Sequence, residues 1–124
     1  DYNLNNYTNN VNPDNDAATN PISTAVLRLN GQDRFSKREG AYFDMVQPYK
    51  YHTNSPDEGI YVYSFSLKPE QSQPSGTCNF SRLDSSELIV NFKEGLVASK
   101  FRVYALSYNI LNVKNGMGGV AYSN

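Results

Sequence analysis

The 124-residue sequence lacks tryptophan, has one cysteine and one histidine, and contains no long apolar run. One cysteine cannot form an internal disulfide, which excludes a disulfide-stapled secreted scaffold. Its apolar runs are a handful of residues long, far short of a membrane-spanning helix. A formal net charge of −1 provides neither the basic field typical of nucleic-acid binding nor an acidic tail for a basic partner. The length is that of one domain.

Residues that could carry catalysis or bind a metal are few and scattered. Cys78 could act as a nucleophile only beside a base, and nothing in the sequence brings it to the single histidine, His52. A free cysteine is usually a packing residue. The segment NVNPDND resembles the opening of a calcium loop, but the glycine and the glutamate that complete such a loop are missing. We therefore predict no enzyme activity, no catalytic residue, no cofactor and no metal site.

Two sequons for N-glycosylation occur, at Asn6 and at Asn79. We expect Asn6 to be accessible in a polar stretch and Asn79 to lie against a strand, where a glycan would clash. The sequence begins without a recognisable secretory signal, so we expect neither sequon to meet the glycosylation machinery of the host. Asn6 is the better candidate of the two.

What the chain does contain is asparagine and aromatic residues, with ten Tyr and six Phe. The region 1–23 is rich in Asn, contains Pro13 and Pro21, and has no hydrophobic periodicity, which predicts a long exposed loop. The region 24–124 alternates apolar and polar residues, which predicts β-strands. The predicted strands are Thr24–Asn30, Ile60–Leu67, Cys78–Arg82, Glu87–Phe92 and Phe101–Val113.

One short helix interrupts this series. Ser36 and Glu39 fit a capping box, which predicts a helix that begins at Ser36. Tyr42, Phe43 and Val46 fall on one side of that helix, and Pro48 is expected to end it. The strand spacing indicates an all-β antiparallel sandwich or barrel. Five strands would leave open edges, so we expect other segments to complete the fold.

Four segments resemble the major capsid protein of the nucleocytoplasmic large DNA viruses. They are LRLNGQDRFSKREGAYFDMVQPY, GIYVYSFSLKPEQSQPSGTCNFSRLD, VYALSYNILNVKNGMGG and the terminal VAYSN, which together cover most of Leu27 to Asn124. The blocks NGQDRF, QPSGTCNFSR and GMGG-AYSN are the most specific. Their residues, for which we expect structural roles, are Asn30, Gly31, Asp33, Arg34, Phe35, Pro74, Gly76, Cys78, Asn79, Arg82, Gly116, Gly118 and Gly119.

Within QPSGTCNFSR, Pro74 and Gly76 are expected to form the turn that redirects the chain between sheets. We expect Arg82 to pair with Asp84 or with a carbonyl oxygen. Cys78 is expected to pack at the same corner.

The resemblance implies two consecutive jelly rolls per protein, three copies in a pseudo-hexagonal capsomer, and an icosahedral shell. This chain would supply strands E to I of the second jelly roll with one short helix, and residues 1–23 would be the D–E loop. Its partners would be the remaining strands of the same coat protein, two further copies, neighbouring capsomers and minor capsid proteins. It would bind no nucleic acid directly, carry no transmembrane segment, and reside in virions assembled in the host cytoplasm.

Two other interpretations stay open at this point. A carbohydrate-binding or receptor-binding viral jelly roll would suit the Tyr and Asn content, and predicts a shallow aromatic pocket on the loops. A minor or penton capsid protein with a single jelly roll fits less well, because such proteins usually lack the paired NGQDRF and QPSGTCNFSR blocks.

Overall fold

The computed structural model describes residues 7, 8, 20–96 and 100–122. Asn6 and most of the predicted loop 1–23 lie outside the described residues. The strands are β1 (Ile22–Leu29), β2 (Gln32–Asp33), β3 (Arg38–Glu39), β4 (Ser86–Phe92), β5 (Leu111–Lys114) and β6 (Met117–Val120). A π-helical turn, Tyr42–Val46, runs into the α-helix α1, Gln47–Tyr51, and a 3₁₀ turn covers Phe80–Arg82. No helix in these ranges has the length and apolar character to span a membrane.

The larger sheet is antiparallel and centred on β1. β4 pairs with one edge of β1, with Ala25 opposite Val90, while β2 and β3 pair with the other edge. The predicted strands Thr24–Asn30 and Glu87–Phe92 are therefore confirmed. β1 begins at Ile22, two residues before the boundary expected between the loop and the folded region.

Both hairpins of the structure turn on an Asn-Gly pair. Asn30 and Gly31 have φ angles of 50° and 76° between β1 and β2, and Asn115 and Gly116 have 53° and 75° between β5 and β6. Two consecutive positive φ values define the turn whose twist matches that of antiparallel strands, and Asn-Gly is its preferred sequence. The second hairpin, β5–β6, was not among the predicted elements, although the same dipeptide indicates it.

The hydrophobic core is small and lies between β1 and the helical turn. Ile22, Ala25 and Phe43 are buried together, and Val90 of β4 packs against them. Ile22 and Ala25 are an odd number of residues apart, so strict alternation would place them on opposite faces. A register shift between Ile22 and Thr24 removes this conflict, because a bulge turns one more side chain to the same face.

The predicted start and end of the helix are wrong. Arg38 and Glu39 form β3, with Glu39 opposite Thr24, so no capping box forms at Ser36. Pro48 lies in the first turn of α1, and the helix continues past it to Tyr51. A local capping box contributes about 1 kcal/mol, and here the pairing of β3 with the core strand prevails.

The residues predicted on one side of the helix differ in burial: Phe43 is buried, Tyr42 is half-buried and packs against the core, and Val46 is exposed. Gly40, which weakens a helix, is present for a packing reason. A Cβ atom at this position would collide with the carbonyl oxygen of Ile22. The helical turn can therefore lie directly against β1.

The region Ile60–Leu67 does not form the predicted strand. Both edges of β1 are occupied, so this region is half-buried beside the core without a ladder. Its backbone bonds elsewhere: Val62 N–H donates to the Phe43 carbonyl oxygen at 3.0 Å.

Two further strand predictions also need correction. Cys78–Arg82 contains the 3₁₀ turn, and only the last part of Phe101–Val113 lies in a strand, β5. Residues 101–110 join no ladder, because the described residues provide no partner for them. The folded parts nevertheless confirm an antiparallel all-β chain with one short helix.

Candidate functional site

The NGQDRF block fastens the first hairpin to the start of β4. The side-chain oxygen of Asn30 accepts hydrogen bonds from the N–H groups of Asp84 (2.9 Å) and Ser85 (3.2 Å). The Asn30 N–H donates to the Ser85 carbonyl oxygen at 2.9 Å. One asparagine thus forms the turn and also binds a segment more than fifty residues away. Gly31 supplies the second positive φ of that turn.

Asp33 and Arg34 hold β2 against β1. Arg28 of β1 donates through Nε to Asp33 at 3.0 Å, and its Nη1 lies 3.8 Å from Glu87 on β4. The three residues lie side by side across the sheet, since Arg28 is in register with both carboxylates. The Arg34 N–H donates to the Leu27 carbonyl oxygen at 2.8 Å. All three charges are more than one third exposed, so each ion pair is worth at most about 1 kcal/mol.

Phe35 belongs to a continuous chain of aromatic rings. Its centroid lies 5.5 Å from that of Phe43 and 4.8 Å from that of Tyr63. The chain continues from Tyr63 to Phe65 (5.0 Å) and from Phe65 to Phe80 (5.5 Å), both edge to face. These contacts attach the unpaired region 60–67 to the helical turn and to the 3₁₀ turn. Aromatic content is visible in the sequence, but which rings meet is not.

The QPSGTCNFSR block forms a corner beside this aromatic chain. Gly76 has a φ of 141°, and a Cβ atom there would lie 3.0 Å from the Phe65 carbonyl oxygen. Pro74 is exposed, and Cys78 is a half-buried free thiol. Glycine is thus required where the corner touches Phe65, whereas Pro74 has no such contact.

One expectation for this corner is wrong. Asn79 is exposed rather than packed against a strand, and its side-chain oxygen accepts from the Ser81 N–H at 3.1 Å to begin the 3₁₀ turn. Of the two partners expected for Arg82, Asp84 makes no ion pair with it within the part of the chain that the structure describes. That neither Asn79 nor Asn6 carries a glycan stays a prediction.

The three glycines of the GMGG block lie on the second hairpin. Gly116 occupies the turn, Gly118 lies opposite Val113, and Gly119 lies opposite Asn112. A Cβ atom on Gly119 would meet nothing within 4 Å, and one on Gly118 would make only an ordinary contact with Val113. Nothing in the described structure requires glycine at these two positions.

Sequence reasoning missed a polar cluster at the start of β1. The Asn20 side-chain nitrogen donates to Asp44 Oδ2 at 2.6 Å, and its oxygen accepts from the Gly59 N–H (3.2 Å) and the Tyr61 hydroxyl (3.4 Å). The Tyr61 hydroxyl also accepts from the Ile22 N–H at 3.3 Å. Burial raises the pKa of Tyr61, the Ile22 hydrogen bond lowers it, and the negative charge of Asp44 raises it further.

A second polar residue, Gln47, has the same kind of role. Its nitrogen donates to the Tyr42 hydroxyl at 2.9 Å, and its oxygen accepts from the Ser64 N–H at 3.3 Å. Gln47 is buried. Both clusters join α1 and the π-helical turn to regions that have no ladder. Nothing in the local sequence distinguishes these polar residues from solvent-facing ones.

The described ranges hold no cluster suited to metal binding. No group of three or more His, Cys, Asp or Glu side chains there could bind a metal ion. One depression of about 550 Å³ lies beside α1. Its lining consists of Asp44, Met45, Val46, Tyr49, Ser55, Pro56 and Glu58.

The most conspicuous surface is apolar and lies on residues 100–122, which we call the terminal segment. Leu106 is fully exposed, and Tyr104 is 83% exposed. Consecutive residues of this segment are often both apolar, although in a strand their side chains would point to opposite faces. This pattern is typical of a strand that is covered on both faces. The other large apolar residues exposed in this segment are Phe101, Val103, Tyr108, Ile110, Leu111, Val113, Met117, Val120 and Tyr122.

Comparison with known proteins identifies the family of this chain. The family model for the large eukaryotic DNA virus major capsid protein matches residues 1–119. The major capsid protein of Chrysochromulina ericina virus is 60% identical over 85% of this chain and 19% of its own length. That of Paramecium bursaria Chlorella virus 1 is 39% identical over 83% of this chain and 29% of its own length.

Solved structures agree with the sequence relatives. The PBCV-1 virus capsid superposes with a TM-score of 0.74 at 40% identity, over 83% of this chain and 30% of that chain. This likeness confirms the antiparallel jelly-roll class predicted from the sequence. The chain spans about a fifth to a third of the length of these relatives. It belongs to the family of major capsid proteins of the large eukaryotic DNA viruses.

Proposed function

We propose that this chain is a structural part of a virion coat protein and that it acts by assembly rather than by catalysis. The observation that carries the proposal is the terminal segment, whose apolar side chains are exposed in succession. Exposed contiguous apolar surface marks a place where another protein surface binds. The relatives with similar sequences are named major capsid proteins, which supports the same proposal independently of the exposed surface.

The first partner is the rest of the same coat protein. The chain spans a fifth to a third of its relatives, so most of each related protein lies outside the matched region. Within the described sheet, β4 pairs with β1 along one edge, and its other edge has no partner. Residues 101–110 join no ladder in the described part of the chain. Strands of the remaining coat protein would pair with both. In this arrangement the residues that precede β1 belong to the D–E loop, and the chain from β1 onward forms the last part of the second jelly roll. The boundary predicted between residues 23 and 24 moves to Ile22, which is buried in β1.

Higher assembly follows from copies of the completed coat protein. Three copies form a pseudo-hexagonal capsomer, and capsomers contact one another and minor capsid proteins in an icosahedral shell assembled in the host cytoplasm. Symmetry repeats each weak contact many times, so individual contacts need not be strong. A formal net charge of −1 favours close packing of many copies.

The carbohydrate-binding interpretation has less support. It requires a shallow pocket with several aromatic and amide side chains. The depression beside α1 has one aromatic residue, Tyr49, and no amide side chain in its lining. Binding of the assembled protein to a glycan array, lost in Tyr49→Ala, would restore this interpretation.

Expression of the 124-residue chain with and without the rest of the coat protein tests the proposal. Alone, the chain should aggregate or unfold without a cooperative transition, because its apolar segment has no cover. Within the complete coat protein it should give a soluble oligomer. A sharp melt of the chain alone, independent of its concentration, would contradict the proposal.

A matched pair of substitutions sharpens the test in the complete coat protein. Leu106→Asp places a charge in the terminal segment and should prevent assembly, although Leu106 is fully exposed in this chain. Gln32→Asp introduces the same charge at an exposed polar position of β2 and should leave assembly intact. Normal assembly of Leu106→Asp, measured by size-exclusion chromatography with light scattering, would exclude the terminal segment as a covered surface.

A further inference from the structure

Glu70 binds the end of α1 from the following loop. One carboxylate oxygen, Oε1, lies 3.2 Å from His52 Nδ1 and accepts a hydrogen bond from the Thr53 N–H at 3.1 Å. His52 immediately follows α1, and its side chain is three-quarters buried. The only histidine of the sequence is therefore placed against a carboxylate.

The next residue of the same loop binds the terminal segment. The Gln71 carbonyl oxygen accepts the hydroxyl of Tyr108 at 2.9 Å. The loop is itself closed, since the Lys68 N–H donates to Ser75 Oγ at 2.8 Å. Two adjacent residues thus connect the end of α1 with the terminal segment.

The contacts of Glu70 lower the pKa of its carboxyl group. The Thr53 N–H, and then the Thr53 hydroxyl, hold the pKa of the Glu70 carboxyl below its usual range, and His52 lowers it further. Of the charged or titratable groups in the described residues, His52 alone acts on this carboxylate. A carboxyl whose pKa is lowered by folding stabilises the fold above its unfolded pKa and loses that effect as the pH falls through the folded value.

His52 contributes to this contact through Nδ1. An imidazole that carries its proton on Nδ1 donates it to the Glu70 carboxylate. Acid weakens the contact when Glu70 is protonated, because the carboxylate then loses its negative charge.

We propose that His52 and Glu70 form an acid-responsive clip that fastens the loop Leu67–Ser75, and through it the terminal segment, to the end of α1. The clip opens in acid, when Glu70 is protonated. Its two arms are the His52–Glu70 contact and the Tyr108–Gln71 hydrogen bond.

Hydrogen–deuterium exchange of the complete coat protein tests this proposal. Peptides covering 67–75 and 101–110 are followed at about pH 8, 5.5 and 3.5, with correction for the intrinsic pH dependence of exchange. In the wild type, exchange should accelerate roughly threefold to tenfold at the third value relative to the first two, because Glu70 is then protonated. Glu70→Gln should abolish this acceleration, because an amide does not gain a proton in this range.

Two controls decide between a clip and a general effect of acid. Lys68→Gln changes a charge in the same loop and should retain the wild-type profile. Tyr108→Phe should leave the response of peptide 67–75 intact and remove that of peptide 101–110. Identical profiles in the wild type and Glu70→Gln would overturn the clip, and an unchanged response of 101–110 in Tyr108→Phe would overturn its connection to the terminal segment.

Discussion

Two regions of this chain, which we call the packed region (residues 20–96) and the terminal segment, have similar apolar patterns and opposite burial. In the packed region, β1 is enclosed by β4, β2, β3 and the helical turn. In the terminal segment, β5 and β6 pair only with each other, and their apolar side chains face solvent. An alternating pattern therefore indicates a surface suited to burial, but the cover must come from elsewhere in the molecule.

The largest expected difference between the regions concerns two phenylalanines. Phe43→Ala removes a buried ring of the core and should lower the free energy of unfolding by about 3–5 kcal/mol. Phe101 contacts only Phe92 among the described rings and is half exposed, so Phe101→Ala should cost far less in the packed region. Urea denaturation of the complete coat protein, followed by exchange of peptides from 20–96, measures both. Equal losses would mean that the terminal segment supports the core.

Two glycines provide the next comparison. Gly40→Ala forces a Cβ atom against the Ile22 carbonyl oxygen and should destabilise the fold by about 1–3 kcal/mol. Gly119→Ala meets no neighbouring atom in this structure and should be neutral here. If Gly119→Ala instead blocks oligomer formation, a partner chain approaches the backbone of β6 at that point.

Comparing the two Asn-Gly turns distinguishes the stability that comes from turn geometry from the stability that comes from side-chain hydrogen bonds. Asn30→Gly preserves the positive φ but removes the bonds to Asp84 and Ser85, and should cost about 1–2 kcal/mol. Asn115→Gly preserves the same geometry in the other hairpin and should change stability by a few tenths of a kcal/mol. Thermal melting of both variants checks the difference. Equal effects would show that the Asn30 side chain adds nothing beyond its turn.

The smallest effect is expected for the surface charges. Arg28→Gln removes both ion pairs across the sheet and should cost less than about 1 kcal/mol, a loss that shrinks in high salt. Lys114→Gln on the exposed hairpin is the matched control and should have no effect in the packed region. A loss for Arg28→Gln that does not depend on salt would indicate that its alkyl chain packs, rather than that its charge pairs.

The sequence predicted β1 and β4, but not the short strands β2 and β3 or the hairpin β5–β6. β1 and β4 were predicted within two residues because their alternation matches their environment. The capping box at Ser36 failed, because the pairing of Arg38 and Glu39 with β1 outweighs a local preference. The strand predicted for Ile60–Leu67 was wrong for a different reason. Its apolar side chains pack and make aromatic contacts, but its backbone joins no ladder.

For the motif residues, too, local sequence predicted the backbone turn but not the contacts with distant segments. Asn30 and Gly31 could be placed on a turn from their dipeptide alone, since few residues accept two positive φ values. That Asn30 also binds Asp84 and Ser85 could not be foreseen, because hydrogen bonds between distant segments depend on how the sheet aligns them. The same holds for Asn20 with Asp44 and for Gln47 with Ser64, whose side chains look solvent-facing in the sequence.

By itself, the sequence determined the antiparallel β class, the absence of an internal disulfide, the Asn-Gly turns and the resemblance to viral coat proteins. These features depend on residue types and on spacing over a few neighbours. Only the tertiary structure decided which strands find a partner, which polar side chains are buried, and which apolar residues remain exposed. Each of these depends on contacts between segments tens of residues apart, and local spacing carries no information about such contacts.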